Sequence, residues 1–260
     1  MVHDVAADLG WTAKFRQSHA ALGTSQKTSK GVSFYSKLVN RPLGRIFAAA
    51  AFAAGLSPNM VTAVSGLATG LGLAVLVLVH PSIGSGIVVS LLLAVGFALD
   101  SADGQVARLT ATSSAAGEWL DHTLDAAKMV LLHAAVLVGW YRFLDLSDAW
   151  LLVPLGYQAV SVVTFSGGTL VALLKRAAAR SAGAAVVPLV QQDVGGERHS
   201  VVRALLLIPG DFGILCLLFA LWGWVDVFRY GYLVMLVLNA GLLAALLVKW
   251  FRELSRVKIA

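Results

Sequence analysis

Four aspartates carry the chemistry that this chain can do. Between Asp100 and Asp125 the sequence reads D-x-x-D-G-x-x-A-R-x(8)-G-x-x-x-D-x-x-x-D. At 100° per helical residue, Asp100, Asp103, Gly104, Ala107 and Arg108 share an arc of about 140°, and Gly117, Asp121 and Asp125 share one of about 80°. The segment between them, Leu109–Ala116, holds Thr110, Thr112, Ser113 and Ser114 and is polar enough to turn the chain. Two carboxylate-bearing faces can then oppose each other. Carboxylates that converge repel and lose hydration unless a cation neutralises them. Oxygen-only ligands select hard divalent ions, Mg²⁺, Mn²⁺ or Ca²⁺, over zinc or copper. Four carboxylates suffice for two such ions, and paired ions suit phosphoryl chemistry because they hold bridging and non-bridging oxygens as charge develops. Arg108, on the same surface, is placed to contact a phosphate.

The elements that must position these residues are apolar. Of 260 residues, 58% are hydrophobic and 13% charged, and the mean hydropathy is +0.79. That composition excludes an ordinary soluble domain and predicts an all-α, polytopic membrane protein. A spanning helix needs about 20 mainly apolar residues. Six stretches qualify: about Met60–His80, Gly84–Ala107, Ala115–Gly139, Ala149–Leu174, Ala204–Trp224 and Phe228–Trp250. The first thirty residues lack an apolar run of signal-peptide length, so a cleaved leader is not expected. Cys216, alone and inside an apolar stretch, forms no intrachain disulfide and reads as packing.

Basic residues gather in the N-terminal arm, in the link after the fourth stretch and in the tail, whereas the opposite links hold only Arg142 and Arg229. The positive-inside rule then puts both termini and the aspartate run on the cytoplasmic side of the cell membrane. A net charge of +6 collected there fits anionic headgroups and phosphorylated substrates; with no soluble basic domain, nucleic acid is not an expected partner.

The chain divides into a polar arm over 1–32, an amphipathic juxtamembrane segment over 33–56, a six-helix domain over 57–252 and a tail over 253–260. From Phe34 to Phe47, Tyr35, Leu38, Val39, Leu43 and Ile46 face one way and Lys37, Arg41 and Arg45 another, the pattern of an interfacial helix. Pro42 predicts a break or kink near Arg41, so that a bent two-part element fits as well as one straight rod. Ser57 and Pro58 open the first span as cap and first helical residue. Gly66, Gly70 and Gly72 read as helix-packing positions.

Glu118 reads as facing the headgroups, His122 as lying outside the metal cluster, and His133 as a packing group with a hydrogen bond. Asp211, an ionisable residue in the fifth stretch, is a functional candidate for an acceptor hydroxyl or for a partner such as Arg203. Lys175, Arg180, Arg198 and Arg203 are candidates for an acceptor phosphate, although topology alone also explains basic residues on that side.

The run resembles the signature of the CDP-alcohol phosphatidyltransferase (phosphotransferase) family. Asp100, Asp103, Gly104, Ala107, Arg108, Gly117, Asp121 and Asp125 match each defining position, and Pro58-Asn59-x-x-Thr62 and the six-span layout also resemble it. The resemblance implies a dinuclear Mg²⁺ or Mn²⁺ site on Asp100, Asp103, Asp121 and Asp125. It also implies a CDP group lying along Gly104, Ala107 and Gly117 with Arg108, Asn59 and Thr62 nearby, and a homodimer. The implied reaction is attack of an acceptor hydroxyl on the alcohol-side phosphorus of a CDP-linked donor, with Asp125 as general base and CMP leaving.

Two directions fit that resemblance. One pairs CDP-diacylglycerol with a polyol or polyol phosphate acceptor in phospholipid biosynthesis, and the other pairs a soluble CDP-alcohol with a lipid or polyol acceptor. A different class, a cation-binding membrane transporter, would also use intramembrane carboxylates. The grouping of the acids at one face and the lack of an inverted repeat argue against it.

Overall fold

In a computed structural model, residues 10–24, 35–181 and 210–257 are described. They form eight α-helices and no strand: α1 (Trp11–Thr24), α2 (Arg41–Ala53), α3 (Pro58–Leu78), α4 (Ile83–Thr110), α5 (Ala115–Phe143), α6 (Asp148–Ser181), α7 (Phe212–Leu218) and α8 (Val225–Leu254). Five of them, α3, α4, α5, α6 and α8, are long and apolar enough to cross a membrane, which makes this an integral membrane protein of all-α architecture.

Local chemistry sets the helix ends. The Ser57 hydroxyl accepts from Met60 N at 3.3 Å, with Pro58 in the first turn where a missing N–H costs nothing. Ser82 and Ser85 form a reciprocal capping box at the start of α4. The chain leaves α4 through Ala111, whose φ of +53° lies in the left-handed region, and re-enters a helix at Ser114, which accepts from Gly117 N at 3.0 Å. This is the polar turn expected between the two aspartate faces. Ahead of Pro42 the helix changes type: a π-helical turn over Ser36–Asn40 runs directly into α2. Proline has no N–H to donate, so the register changes just ahead of it.

The fifth apolar stretch differs from the expected continuous span. Helix α7 with the 3₁₀ turn Phe219–Leu221 accounts for only the latter part of it, after a turn at Gly210 and a cap at Asp211. Contacts nonetheless give this segment a direction. Phe212 meets Phe97 edge-on at 5.2 Å, whereas a Cβ on Gly86, eleven residues nearer the start of α4, would lie 2.9 Å from the Phe219 carbonyl oxygen. Helix α7 therefore runs antiparallel to α4. It makes a return between α6 and α8, whose C-terminal ends meet where Lys175 pairs with Glu253 at 2.5 Å.

Helix α3 packs on α4 and α5, α5 on α6, and α6 on α8; α2 lies along α4, and α1 along α2. The end remote from the aspartates is filled with rings: Trp140, Trp222, Phe219, Phe228 and Tyr232 are all almost fully buried. A polar knot sits deeper in the bundle. His133 shares hydrogen bonds with Tyr232 and with Ser161 at 2.8 Å, and Asn239 donates to the Tyr157 hydroxyl at 3.0 Å, which joins α5, α6 and α8. His133 is thus a packing group with hydrogen bonds, as its sequence context indicates.

Of the three α3 glycines, Gly72 sits at a close approach, where a Cβ would lie 3.3 Å from Leu92 Cβ, and a Cβ on Gly66 would meet the Leu124 methyls at 3.6 Å. A Cβ at Gly70 would meet nothing within 4 Å, whereas one at Gly139 would lie 2.7 Å from the Leu76 carbonyl oxygen and 3.1 Å from the Trp222 ring. Gly139→Val should therefore destabilise the protein by roughly 1–3 kcal/mol through overpacking. A thermal melt in detergent checks this, and a melting temperature equal to wild type would show that α3 and α5 can separate without cost.

Candidate active site

The aspartates lie where the C-terminal end of α4 meets the N-terminal end of α5. Asp103 is buried and accepts a 2.6 Å hydrogen bond from the Thr62 hydroxyl of α3; its other oxygen accepts from Gly104 N at 2.5 Å. Asp100 and Asp125 face each other across the ammonium of Lys128, which pairs with Asp100 and lies 3.2 Å from Asp125. Asp121 is close enough to Asp100 and Asp125 for their charges to interact, and Asp103 feels both Asp100 and Asp121. The two helical faces thus bring all four carboxylates into one electrostatic neighbourhood.

The group whose ligand atoms all lie within 4.8 Å of one another is Asp121, His122 and Asp125. Helical angle alone put His122 outside the cluster. Its ring nevertheless swings to the carboxylate side, 4.0 Å from Glu118 and edge-on to Phe165. Glu118 itself is exposed and accepts from Arg176 of α6 at 3.0 Å, a surface role.

The small-residue surface borders this centre. A Cβ on Gly117 would lie 3.2 Å from Asn59 Oδ1, so the starts of α3 and α5 touch there; a Cβ on Gly104 would meet only the Arg108 guanidinium, at 3.7 Å. Ala107 is partly buried, and Arg108 and Asn59 are exposed. Helix α2 closes on α4 at Gly44, where a Cβ would lie 2.9 Å from Ser101 Oγ. One turn beyond that crossing, Arg41 comes into range of the charge on Arg108. Burial there pushes the Arg41 guanidinium below its usual range.

The residues present fit a divalent-cation centre. The donors are carboxylate oxygens, the chemistry that hard cations require, with the His122 imidazole beside Asp121 and Asp125, and the space between Asp100 and Asp125 already draws in a positive group, Lys128. Sequence reasoning missed this lysine. A signal for it existed, because Lys128 is an ionisable residue in an apolar helix and falls within the same angular arc as Gly117, Asp121 and Asp125.

The acceptor candidates separate. Asp211 is 2% exposed and engaged: it caps α7 by accepting from Gly213 N at 3.1 Å and accepts from Ser36 N at 3.2 Å and Ser36 Oγ at 3.4 Å. Arg198 and Arg203 lie outside the described residues. Arg180 is exposed near the end of α6. Lys175 lines a cavity of about 580 Å³ between α6 and α8, together with Lys249, Arg252, Arg256 and Glu253. The last three basic residues were read from the sequence only as topology signals. Arg176, next to Lys175, ties this corner to the start of α5 through Glu118, so the basic cavity lies at the same end of the bundle as the aspartates.

Comparison with curated proteins found no match. A family model described as CDP-alcohol phosphatidyltransferase matches residues 55–250, three quarters of the chain, from just before α3 to the last turn of α8. The chain therefore belongs to the CDP-alcohol phosphatidyltransferase family.

Proposed function

We propose that this transferase moves a phosphatidyl group from CDP-diacylglycerol to a hydroxyl of a polar acceptor, a polyol or polyol phosphate, and releases CMP at the cytoplasmic face of the cell membrane. The observation that carries this reading is the meeting of the α4 and α5 carboxylates beside Thr62, Asn59, Arg108 and the small surface of Gly104, Ala107 and Gly117. Asp100, Asp103, Asp121 and Asp125 would hold two divalent cations, Mg²⁺ or Mn²⁺, which when bound draw charge from the pyrophosphate.

The chain's own residues do the rest. Gly104, Ala107 and Gly117 leave room for the flat cytidine, and Asn59 borders it. Thr62 fixes the rotamer of Asp103 through its hydrogen bond. Arg108 binds a donor phosphate as a rigid fork of N–H groups. Asp125 takes the proton from the acceptor hydroxyl as that oxygen bonds to the alcohol-side phosphorus, and the bond from this phosphorus to the CMP oxygen breaks.

The basic cavity supports a phosphorylated acceptor. Lys175, Lys249, Arg252 and Arg256 outnumber the single acid Glu253 around it. As members of this family commonly do, the protein would work as a homodimer.

The test is a product assay. Purified protein is incubated with CDP-diacylglycerol and a panel of polyols and their phosphates, and products are identified by mass spectrometry. Acceptor-dependent CMP release with a phosphatidyl product is expected. CMP release only from a soluble CDP-alcohol would replace the donor assignment, and cation flux in liposomes without CMP release would move the protein to the transporter class.

A further inference from the structure

Lys128 lies inside α5, three residues beyond Asp125, and is 8% exposed. Its ammonium donates to Asp100 on α4, to Asp125 Oδ1 at 3.2 Å on its own helix, and to Ser65 Oγ on α3 at 3.4 Å. Ser65 is in turn fixed, since its hydroxyl donates to the Gly96 carbonyl at 2.8 Å. All three ammonium hydrogens therefore find acceptors, and they come from three helices. A lysine in an apolar helix is costly unless it is paired, and this one is paired with two of the carboxylates read above as cation ligands.

The ammonium and a divalent cation would compete for these two carboxylates. A carboxylate oxygen that accepts from an ammonium has that lone pair occupied, and Lys128 takes Oδ1 of Asp100 and Oδ1 of Asp125. Without a positive charge between them, these two acids would repel at short range in a medium of low dielectric.

We propose that Lys128 is a positioning residue that serves as a resident counter-cation: it holds Asp100 and Asp125 facing each other before divalent cations bind, and yields those oxygens when they do. This rests on reading the aspartates as a divalent-cation centre. Its consequence is a site assembled in advance, whose affinity for the cation is set below what four bare carboxylates would give.

The experiment follows thermal unfolding of the full chain in detergent, first in chelator and then across a titration with MgCl₂ or MnCl₂, for wild type, Lys128→Met and Lys128→Arg. In chelator, Lys128→Met should melt about 5 °C or more below wild type because two facing carboxylates lose their partner, while Lys128→Arg keeps the charge and stays near wild type. On titration, Lys128→Met should half-saturate at a cation concentration at least about fivefold lower than wild type, since the cation no longer displaces an ammonium. Lys128→Gln replaces Lys128→Met should the latter not fold.

A neutral variant that melts like wild type in chelator, or that half-saturates at an equal or higher concentration, overturns the proposal. So does one whose deficit stays constant at every cation concentration, which would mark Lys128 as helix packing alone. A wild type whose melting responds to neither cation overturns the cation-centre reading itself, and the role of Lys128 falls with it.

Discussion

Asp125→Asn is expected to slow CMP release by at least about 10³-fold, within the range that removal of a positioned general base produces. The amide keeps the shape of the carboxylate and can still meet Lys128, which lies 3.2 Å away, but it cannot take a proton from the acceptor hydroxyl. Asparagine is also a poorer cation ligand than aspartate, so base and ligand losses act in the same direction. The check is an assay of CMP release at saturating donor and acceptor. Gel filtration and a detergent melt of the same preparation show that the variant is folded. A folded variant with near-normal turnover would remove Asp125 from the role of base.

Chelation is the second large effect. Stripping divalent cations should lower turnover by at least about 10³-fold, because several kcal/mol of transition-state charge stabilisation is withdrawn at about 1.4 kcal/mol per tenfold. Readdition of Mg²⁺ or Mn²⁺ should restore it, since the surrounding donors are carboxylates of the kind that hard cations prefer. The measurement is CMP release in excess chelator followed by back-titration with each metal. Activity that persists in chelator would mean that Lys128 and Arg108 alone neutralise the pyrophosphate, and the metal argument would fall.

What could be read from the sequence follows physical range. The two aspartate faces, the polar turn at Ala111–Ser114, the Ser57–Pro58 helix start and the change of helix type ahead of Pro42 all depend on residues within one or two helical turns of each other. Angular arithmetic and capping preferences reach that far.

What escaped depends on partners distant in the chain. Asp211 read as a site candidate because an acid in an apolar stretch is costly; its partner, Ser36, lies 175 residues away, and no local rule links them. Lys249, Arg252 and Arg256 read as topology charges until α8 was found beside Lys175. His122 read as outward because helical angle fixes where a Cβ points, whereas an imidazole can swing beyond it. The shortness of α7 was hidden because hydropathy follows composition and is blind to the helix start that Asp211 imposes.

The aromatic packing at the remote end bears on how substrates enter. There Trp140, Trp222, Phe219 and Phe228 interlock, and parting the helices would expose large rings along their whole length. At the aspartate end, α6 is held to α5 by Arg176 and Glu118, a partly exposed ion pair of the kind that contributes little, and to α8 by Lys175 and Glu253 together with the buried packing of Trp250 on Val171 and Leu243. The bundle is thus built like a clothes-peg, with a stiff spring at one end and, at the other, jaws between α5 and α6 whose ionic tie parts cheaply. On the proposed reading, a lipid-linked donor moving within the bilayer would reach the aspartates between α5 and α6 while the remote end stays closed.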